Sequence, residues 1–176
     1  VQGSSAGAMA TIGAPAIDDL LQILVEPSCT AFQVGLVNLA LSFIGSKAPD
    51  AFEQATQSSN IEIRIAAITV LAEQIQAQTN NSAKKALIKA LSDDASEVRA
   101  EAATMAGKTL EPEDVSKQLC RMLKDQSKQV RKNTALALMK MEATDAINCI
   151  KDAMKTENEE QVRSVMNVAV NVLSKS

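Results

Sequence analysis

The chain has 176 residues, 46% of them hydrophobic, which suits one ordinary domain and excludes a disordered segment. Aromatic content is 2%, with Phe32, Phe43 and Phe52 as the only rings, so a globule filled by aromatic side chains is excluded. The net charge of −3, with the acidic excess in the first third of the chain (Asp18, Asp19, Glu26, Asp50 and Glu53 against Lys47), is not the footprint of a nucleic-acid binder.

Taken in chain order, the sequence reads as alternating short helices. Residues from about 1 to 12 form the second helix of a hairpin, so the chain is expected to begin inside a repeat with earlier repeats before Val1. Pro15 then suits the first turn of a helix running to about Val25, where Glu26-Pro27-Ser28 stops it. Helices follow at about 31–44, 48–57, 61–77, 82–92, 96–107, 112–124, 128–141, 143–155 and 160–174. Pro112 opens one of them at its first position, and Asn80-Asn81-Ser82 breaks the chain and caps another. No strand pattern and no long linker appear, so a single repeat domain is expected over residues 1–176, truncated at its N-terminus. No apolar stretch approaches the roughly 18 residues of a membrane span.

One arginine recurs through these elements. Ile63-Arg64, Val98-Arg99, Val130-Arg131 and Val162-Arg163 each open an alanine-rich run. Their spacing is nearly constant, and a period of roughly 32–35 residues means stacked helical hairpins. Leu91-Ser92-Asp93-Asp94-Ala95-Ser96-Glu97-Val98-Arg99 matches Leu123-Lys124-Asp125-Gln126-Ser127-Lys128-Gln129-Val130-Arg131, and Met154 to Arg163 repeats the pattern with one insertion. Ala102, Ala103, Ala135 and Ala137 fall on one helical face and are expected to be buried where helices approach closely. Ile12-Gly13 and Ile44-Gly45 extend the period upstream, with Gln2 and Val34 in the arginine's place. The expected fold is all-α: a right-handed solenoid of about eleven helices.

The Val-Arg-x-x-Ala-Ala pattern after an Asp-containing turn resembles HEAT repeats. The short period and the Ile-Gly ending make the chain similar to the phycobilisome-lyase-type HEAT-like proteins. That resemblance covers nearly the whole chain. It implies a protein-binding scaffold whose concave face, lined by the second helices of the hairpins, holds a protein partner. It further implies a cyanobacterial or plastid setting, with cytoplasm or stroma as the location and phycobiliproteins as candidate partners. Two other roles are compatible with it: a subunit of a phycobilin lyase that attaches a bilin to an apoprotein cysteine, and an assembly factor for another cofactor protein such as an iron–sulfur carrier.

Candidate site residues follow from charge. Arg99, Lys108, Arg131, Lys132, Lys140 and Arg163 are the basic residues expected on or near the inner face, where they would meet an acidic partner. The structural alternative assigns Arg99 and Arg131 to ties between repeats, with Asp94 and Asp125 as partners, because five donors in a fixed fork suit helix-end contacts. Lysines near helix C-termini are also favoured by the macrodipole alone. Catalysis has little to work with: there is no histidine, no nucleophile elbow and no phosphate loop. Met105, Met139, Met141, Met154 and Met166 read as core filler. Cys29, Cys120 and Cys149 are odd in number and widely spaced; Cys120 and Cys149 fall on consecutive first helices, where they could approach each other, but all three are expected as reduced, buried thiols without a metal. No resident cofactor is expected, unless a phycobilin binds.

Overall fold

The computed structural model describes residues 16–47, 55–77 and 81–175. Among these residues the structure is all-helical, with nine α-helices. They are α1 (Ile17–Val25), α2 (Ala31–Lys47), α3 (Ile61–Ala77), α4 (Asn81–Ala90), α5 (Ser96–Thr109), α6 (Pro112–Met122), α7 (Lys128–Lys140), α8 (Ile147–Met154) and α9 (Glu160–Leu173). The count is nine and not about eleven because the helix expected near 1–12 lies outside the described residues, as does most of the one near 48–57. The expected roles of Pro15 and Asn80 also lie outside them. The helix expected over 143–155 opens instead as a 3₁₀ turn, Thr144–Ala146, before α8.

Local chemistry sets the boundaries. Glu26 ends α1 in an extended conformation, φ −69° and ψ 131°, as a residue preceding proline is driven to do. Glu111 is extended and Pro112 takes the first helical position of α6, where its missing N–H costs no hydrogen bond. Asp93 and Asp125 shape the turns before α5 and α7: each carboxylate accepts the N–H two residues on, from Ala95 and Ser127, at 2.8 Å. Glu157 does the same for Glu159 at 2.9 Å before α9.

The chain divides into two compact units, residues 1–86 and 87–176. In the first, α1 packs on α2 and α3, and Ile17, Leu20, Leu21, Leu41, Ile44 and Leu71 fill the interior. In the second, α5, α7 and α9 lie side by side as one layer, with α6 against α7 and α8 against α9. Small residues bring this layer close. Ala102, Ala103, Ala135 and Ala137 are buried, as their spacing predicts. Gly107 of α5 is closer still: a Cβ there would stand 2.6 Å from Ala137 Cα and 2.8 Å from its Cβ, so only glycine fits. Met105 and Met166 are buried as fillers, whereas Met139, Met141 and Met154 are half-buried.

One expectation is overturned. Cys120 of α6 and Cys149 of α8 are joined in a disulfide, with Cα atoms 5.7 Å apart and a sequence separation of 29. The first helices of consecutive hairpins meet side by side, and Ser116 Oγ donates to Asp145 Oδ2 at 2.7 Å across the same separation of 29. The hairpin register at this layer is thus shorter than the arginine period, which brings the two cysteines opposite one another. Cys29 remains a thiol, half-buried.

Candidate functional site

The recurring arginines reach the same place in each repeat. Nη1 of Arg64 donates to Ser58 O at 2.7 Å, that of Arg99 to Asp93 O at 2.8 Å, and that of Arg131 to Asp125 O at 2.9 Å. Each acceptor lies at the turn that opens the arginine's own helix. Arg99 and Arg131 then extend the rest of their fork to the next repeat. Arg99 Nε and Nη2 donate to the two oxygens of Asp125 at 2.8 and 2.9 Å, and Arg131 Nε and Nη2 to those of Glu157 at 2.6 and 2.9 Å. Both are bidentate pairs with a sequence separation of 26.

These pairs are sheltered, and the Glu157 side chain is only 2% exposed. The Arg131 fork holds the Glu157 carboxyl below its ordinary pKa, with burial working the other way. At Asp125 burial pushes the pKa up, but the bonds from Arg99 and the Ser127 N–H outweigh it and the net shift is downward. The same bonds raise Arg99 and Arg131 above the ordinary guanidinium value. Both arginines are therefore internal ties and not part of an exposed basic patch. The expected partners are also reassigned. Asp125 pairs with Arg99 of the preceding repeat, Asp94 contributes its carbonyl to Arg99, and Glu157 is a partner that sequence reasoning missed. Its signal is present in the chain, because Glu157 stands to Arg131 as Asp125 stands to Arg99. The one-residue insertion before α9 obscures it.

The remaining basic candidates separate from the ties. Lys132 and Lys140 lie on α7 with Leu136 midway between them, at i, i+4 and i+8, so the three form one stripe. Leu136 is 39% exposed, Lys140 is exposed and Lys132 half-buried. Neither lysine makes an ion pair among the described residues. Lys108 is exposed near the end of α5, one repeat before Lys140, and Val168 of α9 is exposed one repeat after Leu136. The outward stripe of α7 thus offers the Lys132 and Lys140 ammonium groups on either side of the exposed Leu136. Arg163 is exposed, and both its Nε and its Nη2 turn onto Glu157 O.

A second surface, not foreseen from the sequence, lies in the first unit. Phe32, Leu39 and Phe43 are exposed on α2, and Leu36 between them is half-buried. Spacings of four, three and four put all four on one helical face. The opposite face of α2, with Val37, Leu41 and Ile44, is core. A helix apolar on both sides gives no amphipathic signal to read. Among the described residues no group of His, Cys, Asp or Glu side chains could hold a metal ion.

A model of HEAT repeats matches residues 48–117 and 85–171. The chain is 57% identical over 161 residues to "Bilin biosynthesis protein MpeU" of Synechococcus sp. (strain WH8020), a match covering 92% of this chain. It spans 54% of the length of that relative. Solved structures resemble it in fold. An engineered protein has a TM-score of 0.56 and 21% identity, with 98% of this chain and 90% of that one covered. A designed armadillo repeat protein in complex with the peptide (KR)4 has a TM-score of 0.56 and 18% identity, with 97% and 91% covered.

Proposed function

The chain belongs to the HEAT-repeat family, and on that premise we propose that it is a non-catalytic scaffold in bilin handling, binding a protein that accepts or carries a bilin. The observation that carries this reading is the 57% identity to a bilin biosynthesis protein over nearly the whole chain. The surface assigned to the partner is the stripe of Lys132, Leu136 and Lys140 on α7, with Lys108 and Val168 beside it. Lysines around an exposed leucine suit an apolar contact rimmed by carboxylates. Such charges chiefly set the encounter rate, and the apolar centre supplies the retention.

The test mixes the protein with an apo-phycobiliprotein subunit and measures association at two salt concentrations. Lys132→Glu with Lys140→Glu should slow association about tenfold at low salt and flatten its salt dependence, with helical content unchanged. Equal rates in the folded double variant would move the partner elsewhere.

A second reading, a subunit of a phycobilin lyase, is favoured by one observation: two of the three rings in the chain, Phe32 and Phe43, share the apolar face of α2. A phycobilin is an open-chain tetrapyrrole whose planar, conjugated pyrrole rings can stack on such side chains. Under this reading, phycocyanobilin added to the protein changes its absorbance, and Phe32→Ala with Phe43→Ala abolishes the change. An unchanged spectrum with the parent protein removes the reading.

A further inference from the structure

The two layers of the second unit are held in different ways. In the second-helix layer, α5, α7 and α9 pack extensively on one another. Gly107 receives Ala137 there, and the Arg99–Asp125 and Arg131–Glu157 pairs tie one repeat to the next. In the first-helix layer, α6 meets the 3₁₀ turn Thr144–Ala146, where Ser116 Oγ donates to Asp145 Oδ2. It approaches α8 itself closely at little besides Cys120 and Cys149. The disulfide thus closes a seam that packing leaves thin. It is also within reach of a small reagent. Both cysteines are half-buried, whereas Leu119 and Ile150, next to them in the chain, are fully buried and supply the core. The thiol form has a place prepared: Cys149 Sγ lies 3.1 Å from Ala146 O, an acceptor for its S–H once the cross-link opens.

We propose that the Cys120–Cys149 disulfide is a reversible redox latch, opened by a dithiol reductant while the protein stays folded, that holds α8 to α6 when oxidised and frees it when reduced. The exchange balances. A thiolate of the dithiol attacks one sulfur, forms a mixed disulfide and expels the other cysteine as a thiolate. The second thiol of the reductant then displaces the remaining cysteine and closes the reductant into a disulfide. The protein gains two electrons and two protons, one proton on each sulfur. Opening removes the covalent link across the thin seam. It leaves the α5–α7–α9 layer in place, because the arginine ties and the Gly107 contact involve neither cysteine. The two states therefore differ in the freedom of residues 144–154 and not in the fold of the unit. The inference does not depend on the bilin reading, because it concerns how α8 is held and not what the molecule binds.

The test equilibrates the native protein, without denaturant, in mixtures of reduced and oxidised dithiothreitol. Alkylation followed by mass measurement should show Cys120 and Cys149 gaining label together as the mixture becomes reducing, and losing it together when the mixture is reversed. Helical content by circular dichroism should stay the same throughout. Backbone hydrogen exchange should rise about tenfold or more over residues 144–154 on reduction and stay unchanged in α5, α7 and α9. Reoxidation should restore the slow exchange. Cys149→Ser and Cys120→Ser should each show the fast exchange in every mixture, which separates the effect of the latch from that of the reagent. If either variant fails to fold, the reduced parent protein supplies the same comparison. Three results would overturn the proposal. The disulfide might resist dithiothreitol until the protein is denatured, which makes it a permanent staple. Reduction might unfold the whole unit, with the helical signal lost. Exchange over residues 144–154 might be the same in both states, which means that packing alone holds α8.

Discussion

At the scale of single residues, two carboxylates carry the ties between repeats in the second unit. Asp125 and Glu157 each join three partners: an arginine of the preceding repeat through the carboxylate, a backbone N–H two residues on, and an arginine of the following helix through the carbonyl. Glu157→Ala would strand the Arg131 guanidinium, and an uncompensated charge in a sheltered site costs about 3 kcal/mol. The loss should persist in moderate salt, because buried pairs are poorly screened, and urea unfolding at two salt concentrations checks both points. The pH dependence has a definite sign. Both carboxyls are held below their unfolded values, so their contribution is fully present above about pH 4.5 and is lost as pH falls through their lowered folded values. Glu157→Gln should reduce this acid-side slope. Thr134 offers the opposite change. Its hydroxyl is fully buried without a hydrogen-bond partner among the described residues, and the equivalent positions in neighbouring repeats are Ala102 and Met166. Thr134→Val should therefore raise stability by about 1 kcal/mol, read from the midpoint of denaturation.

At the scale of elements, closeness of packing and cross-linking set the behaviour. Gly107→Ala would put a methyl group into the Ala137 backbone, and Ala103→Leu would overpack a fully buried site; each should cost on the order of 1–3 kcal/mol. An unchanged melting temperature for either would mean that α5 and α7 do not meet as described. The Cys120–Cys149 disulfide ties α6 to α8 in the other layer. A cross-link closing a loop of this length restricts the unfolded chain and stabilises by about 3–4 kcal/mol. The oxidised, denatured protein should titrate as one thiol, Cys29, and as three after reduction. Reduction should lower the melting temperature, and Cys120→Ser should remove that sensitivity. Three thiols before reduction would refute the cross-link.

At the scale of the whole molecule, repetition replaces a central core. Each unit is stabilised by contacts between neighbouring helices, so the outward faces of the second helices are not needed to fill a central core. This is why α2 can expose Phe32, Leu39 and Phe43, and α7 can expose Leu136, while their opposite sides stay sealed. Among the described residues no helix is long and apolar enough to cross a membrane.

The sequence by itself determined the helical hairpins, their period and most of their boundaries. These follow from signals that are local or evenly spaced: Pro27 and Pro112, the Asp-containing turns, and apolar residues at helical intervals. The burial of Ala102, Ala103, Ala135 and Ala137 was legible for the same reason. Tertiary structure decided what depends on the register between repeats. A small shift between layers set Cys120 against Cys149, and the stacking of repeats gave Asp125 to Arg99 and Glu157 to Arg131. Of the six basic candidates, it withdrew Arg99 and Arg131 into internal ties and left Lys132 and Lys140 on an open stripe. Charge and spacing along one chain are the same whether an arginine faces a carboxylate or solvent; only the position of the neighbouring repeat distinguishes them.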